Sequence, residues 1–87
     1  MRLDVFLSRS RLIMPRQSAK RACDNEIVWI NGRLAKPSTD VRIGDQITVR
    51  FSDQDLTVEV TKFPRKSVPK AQAKDHYDIV NDQRYTT

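Results

Sequence analysis

Apolar positions along the chain change period once. Leu3, Phe6 and Leu7 recur at helical spacing, with Ser10 completing the i+7 position, and predict a short helix near residues 2–9. Pro15 suits a first helical turn, where its missing N–H is no loss. Ala19, Ala22 and Cys23 then form the inner stripe of a second helix near 15–25. Small side chains there bring that helix close to its neighbour. Arg16 and Lys20 lie one turn apart and share a face, whereas Gln17, Arg21 and Asp24 point away from the small stripe.

Beyond residue 26 the pattern alternates. Ile27-Val28-Trp29-Ile30 reads as a strand ended by Asn31-Gly32, a strong two-residue hairpin signal. Leu34 and Ala35 begin the return, and Lys36-Pro37-Ser38 breaks pairing. Val41-Arg42-Ile43 alternates before a turn at Gly44-Asp45; Ile47, Val49 and Phe51, then Leu56, Val58 and Val60, alternate with polar residues. The fold class predicted is α+β: two N-terminal helices packed on a small twisted antiparallel sheet of three to five strands. The domain is expected to span 1–63. A flexible basic linker and C-terminal tail follow over 64–87, where Ala73, His76, Tyr77 and Val80 recur at i, i+3, i+4 and i+7 and predict a short last helix.

Charge sharpens the picture. Sixteen Lys+Arg against eleven Asp+Glu give +5, and residues 1–22 alone carry six bases and one acid. A second basic run, Lys62 to Lys74, follows an acidic stretch holding Asp53, Asp55 and Glu59. Five of the six N-terminal bases are Arg, whose planar fork matches phosphate. Concentrated charge of this kind favours a polyanionic partner. One cysteine and one histidine leave neither an internal disulfide nor a ligand cluster for a metal, and a reducing, cytoplasmic location is expected. No apolar run approaches the ~20 residues of a membrane span. No paired carboxylates or nucleotide loop stand out, so the chain is not expected to be an enzyme.

Candidate phosphate contacts are Arg2, Arg11, Arg16, Lys20 and Arg21, with Arg9 and Lys36 flanking them. Asp4 is expected to orient a neighbouring Arg or cap the first turn. Trp29 alternates away from Val28 and Ile30, and either packs across the hairpin against Leu34 or stacks on an unpaired base. Cys23 reads as buried filler. Little in this set reads base sequence, so shape and phosphate contacts are the expected mode. A helix-turn-helix reading, for a DNA-binding regulator, would need polar base-reading residues along the second helix, which offers mainly Arg16, Gln17, Lys20 and Arg21.

The runs Arg2-Leu3-Asp4-x-Phe6-Leu7, Ser10-Arg11-Leu12-Ile13, Arg16-x-x-Ala19-Lys20, Val28-x-Ile30-Asn31-Gly32, Lys36-Pro37-Ser38 and Gly44-Asp45 resemble the RNA-binding module named after ribosomal protein S-four, also called the αL motif. The likeness covers residues 2 to about 51, and the short chain with Tyr77-x-Ile79-Val80 near its end is similar to the ribosome-associated members of that family that stand alone. It implies binding of rRNA and tRNA on large ribosomal subunits that still hold peptidyl-tRNA after a stall. It also implies support of C-terminal tailing beside a larger RqcH-type factor, or else recycling of obstructed subunits after heat shock. A monomer with no cofactor, metal, membrane or small-molecule substrate is expected. Of the bases, the resemblance carries Arg2, Arg11, Arg16, Lys20 and Lys36; Arg9 and Arg21 rest on helix geometry and charge. The family usually has Gly where Glu26 stands and a basic residue where Ile27 stands. Asn25 is therefore expected to take the left-handed turn after the second helix.

Overall fold

The side chains of the first predicted stripe close the core: Leu3, Phe6, Leu7 and Ser10 are all fully buried. The first three belong to helix α1 (Leu3–Arg9), which Ser10 caps, and helix α2 (Arg16–Asp24) follows, its Ala19, Ala22 and Cys23 completing the helical half of the core. The computed structural model describes residues 1–64 and 76–85. Five strands make up the sheet: β1 (Val28–Ile30), β2 (Arg33–Leu34), β3 (Gln46–Arg50), β4 (Gln54–Val60) and β5 (Tyr77–Arg84). Their order is β2-β1-β3-β4-β5, every neighbouring pair antiparallel. Val28, Ile47, Val49, Val58 and Val60 line the face that meets the helices. Each such side chain contributes ~1.5–3 kcal/mol on full burial, which a domain this small needs from nearly every core position.

The hairpin joining β1 and β2 turns at Asn31 and Gly32, whose φ values of 50° and 81° are those the sequence reading requires. Trp29 faces away from the core. It stands opposite Leu34 on β2 and Thr48 on β3, with the Arg50 guanidinium 5.2 Å from its ring centroid. Trp29 thus holds the cross-strand position opposite Leu34 and is partly exposed.

Three expectations need correction. The C-terminal segment from Tyr77 is a strand, not a helix. Tyr77, Asp78 and Ile79 pair with Val60, Glu59 and Val58, and a bulge shifts the register before Asn81 meets Thr57. The i, i+3 spacing of Tyr77 and Val80 is overridden by the open edge of β4, and Ile79, Val80 and Asn81 are weak helix formers. Ala73 and most of the basic run lie outside the described residues. Val41-Arg42-Ile43, in turn, is no strand of the sheet. Val41 is buried, but its N–H reaches the Met1 carbonyl, and the Arg42 N–H is taken by Asp45 Oδ2 at 2.9 Å.

The third correction concerns the end of α2. Asn25 stays at φ −84°, and Glu26 takes the left-handed conformation at +61°. The N–H of Glu26 donates to the Cys23 carbonyl (3.1 Å) and that of Ile27 to the Ala22 carbonyl (3.2 Å), the paired bonds of a Schellman end. Geometry fixes the left-handed residue one position after the cap, and Asn25 is the cap itself. A residue with a Cβ is strained there by ~1–2 kcal/mol, while glycine adds unfolded-chain entropy. Glu26→Gly is therefore expected to stabilise the fold by about 0.5–1 kcal/mol, read as a higher urea midpoint at unchanged slope.

Candidate nucleic-acid interface

The first turn of α1 finds its backbone partners outside the helix. Leu3 N–H donates to the Thr39 carbonyl (2.9 Å) and Asp4 N–H to the Pro37 carbonyl (3.1 Å), while Val5 N–H donates to Asp4 Oδ1 (2.8 Å). These are the donors a helix start leaves without intrahelical partners. The loop between β2 and β3 is thus held across the beginning of α1, which brings Lys36 beside Arg2.

Asp4 is the pivot. Its side chain is 1% exposed and accepts from Arg2 through Nε (3.2 Å) and Nη2 (3.3 Å), and from Arg16 Nε (3.3 Å). Burial pushes the Asp4 carboxyl up, but the hydrogen bonds and charges of Arg2 and Arg16 outweigh it and hold the group below the usual carboxylate range. One carboxylate faces two guanidiniums, so a positive charge remains. Of five N–H donors each, Arg2 commits two and Arg16 one to Asp4, leaving three and four. Their side chains are about half exposed. The ion pairs aim both arginines without using them up.

Arg2, Lys20 and Lys36 line a groove of about 520 Å³, together with Cys23, Asp24, Glu26 and the 34–38 segment. Arg16 joins them through Asp4. Arg21 is exposed on α2 but does not line the groove. Arg9 is half-buried, its Nη1 donating to the Pro64 carbonyl at 3.4 Å. Arg11, left-handed at φ 63°, borders a separate hollow with Leu12 and the β3–β4 turn. Three of the seven sequence candidates thus line the groove, Arg16 shares the Asp4 carboxylate with one of them, and Trp29 is not among the lining residues. The sequence reading set Asp24 on the face turned away, whereas it borders the groove. Its position one turn after Lys20 was the available signal. Cys23 forms part of the groove lining; burial first, then Asp4 and Asp24, push its thiol up to about 11, which keeps it neutral.

Residues 1–47 match the S4 domain, more than half of the chain. The chain belongs to the S4 domain family. Curated relatives extend the likeness over nearly its whole length. It is 42% identical over 84 residues to the RQC P-site tRNA stabilizing factor of Bacillus subtilis (strain 168), covering 97% of this chain and 96% of that one. Against the factor of the same name from Streptococcus pneumoniae the identity is 39%, covering 97% and 94%. Among solved structures, the trimeric Heat Shock Protein 15 of Vibrio cholerae superposes with a TM-score of 0.85 at 32% identity, covering 92% of this chain and 81% of the other. Both helices and strands β1 and β2 lie wholly within the S4 match, which ends inside β3.

Proposed function

We propose that this protein binds structured RNA on the large ribosomal subunit and steadies a tRNA there during quality control of stalled translation. It does so without catalysis of its own. The observation that carries this reading is the gathering of Arg2, Lys20 and Lys36 along one groove, with Arg16 held beside Arg2 by a single buried carboxylate. Guanidinium edges and ammonium groups around a rigid cleft fit phosphates at an RNA junction, where shape and backbone are read rather than sequence. Near-full-length identity to two factors named for stabilizing P-site tRNA supports tRNA as a partner. An RqcH-type tailing factor on the same subunit and action as a monomer complete the proposal, as does a cytoplasmic location.

Sedimentation of cell lysate tests it. The protein is expected to travel with large subunits that carry tRNA and to leave them as salt rises. Retention in the soluble fraction at low salt, with tRNA-bearing subunits present, would overturn the reading.

A further inference from the structure

The groove holds more than a phosphate track requires. Beside its three cations stand two carboxylates, Asp24 and Glu26, and a wall of Leu34, Ala35 and Pro37. Leu34 is 53% exposed. Among the described residues neither Asp24 nor Glu26 forms an ion pair, although Lys20 and Lys36 border the same cleft. A carboxylate facing a phosphate chain repels it, so a surface that only follows the backbone gains nothing from these two.

A single nucleotide accounts for all the walls at once. Its phosphate matches Arg2, Lys20 and Lys36, its flat face matches Leu34 and Pro37, and its Watson–Crick edge meets an acceptor. The cleft volume of about 520 Å³ lies in the range of small-ligand sites and admits one extruded nucleotide. We propose that the groove receives one unpaired nucleotide of a structured RNA, and that Asp24 and Glu26 select a base with an exocyclic amino group over uracil.

Carboxylates accept from such amines. Cytosine and adenine offer one amino group on that edge, and guanine offers its amino group beside the ring N–H. Uracil presents a lone N–H between two carbonyl oxygens, which turn lone pairs toward the carboxylate. Unpaired bases in loops and bulges are where an RNA edge is free for this contact.

The inference rests on the RNA-binding reading above and is tested separately from it. The full chain is titrated, by fluorescence anisotropy, with RNA hairpins identical except for a one-nucleotide bulge of A, C, G or U. The uracil bulge is expected to bind about tenfold more weakly than the best amino-bearing one. Glu26→Gln with Asp24→Asn should compress the four affinities to within about twofold of each other. Equal wild-type affinity for all four bulges, with Lys20→Ala still weakening each, would overturn base selection and leave the phosphate-binding reading standing. So would amide variants that tighten all four hairpins alike, because the carboxylates would then only repel. A wild-type chain that neither binds the hairpins nor pellets with large subunits would overturn both.

Discussion

Asp4→Asn is expected to lower the unfolding free energy by about 2 kcal/mol and to weaken RNA binding several-fold, although it adds a unit of positive charge. The two effects share one cause. Asn keeps the shape of the side chain but offers only one oxygen and no charge to two guanidiniums. Charge-assisted bonds from Arg2 and Arg16 are then lost at a buried position. A polyanion attracted only by net charge would bind the variant more tightly. Binding equal to or tighter than wild type would show that Asp4 does not set the arginine geometry. Acidity provides a second measurement. The Asp4 carboxyl is lowered on folding, so its contribution is present above the unfolded value of 3.8 and fades as pH falls through the lower folded value. Wild-type stability should therefore drop steeply below about pH 4, and Asp4→Asn should show a shallower drop.

Much of the helical hairpin was legible in the residues. Leu3, Phe6, Leu7 and Ser10 can share one buried face only as a helix, and Asn31-Gly32 states its turn locally. Local signals decide such elements because few alternatives compete. Tyr77–Arg84 was not legible in the same way. Its spacing admits a helix, and only the free edge of β4 makes it a strand, which is a tertiary fact. Glu26 shows a different limit: side-chain preference named Asn25 as the left-handed residue, while the bonds to Ala22 and Cys23 carbonyls fixed the position that must turn.

The site divides along the same line. Arg16 and Lys20 are neighbours by helix periodicity alone, and Asp4 was identifiable as an orienting group from its place beside Arg2. Lys36 joins them because carbonyls of Pro37 and Thr39 cap α1, a backbone contact between segments more than thirty residues apart that no side-chain pattern announces. Arg9 and Arg11 carry the same charge as Arg16 but turn away from the groove and from Asp4, one toward Pro64 and the other through a left-handed turn. Charge counts find a basic region; capping bonds and one buried acid decide which of its members face the same way.

That selection predicts unequal losses. Arg16→Ala is expected to weaken RNA binding across unrelated sequences and to lower the slope of log affinity against log salt by about one. The triple change of Arg2, Arg16 and Lys20 to Ala should lower the slope by about three and reduce affinity on the order of a hundredfold or more at physiological salt. Arg9→Ala removes the same formal charge, yet its guanidinium is half-buried and turned toward Pro64, outside the groove lining, so its slope should change by well under one. Comparing the Arg9 and Arg16 variants separates an organised face from diffuse attraction. Net charge alone makes them equivalent, whereas a face organised around Asp4 makes Arg16 dominant. Circular dichroism at each salt concentration keeps the comparison to folded protein, a control required because removing Arg2 and Arg16 leaves Asp4 as a buried carboxylate without a cationic partner. Equal slopes for the two single variants, or a triple variant that binds like wild type, would remove the groove as the RNA contact.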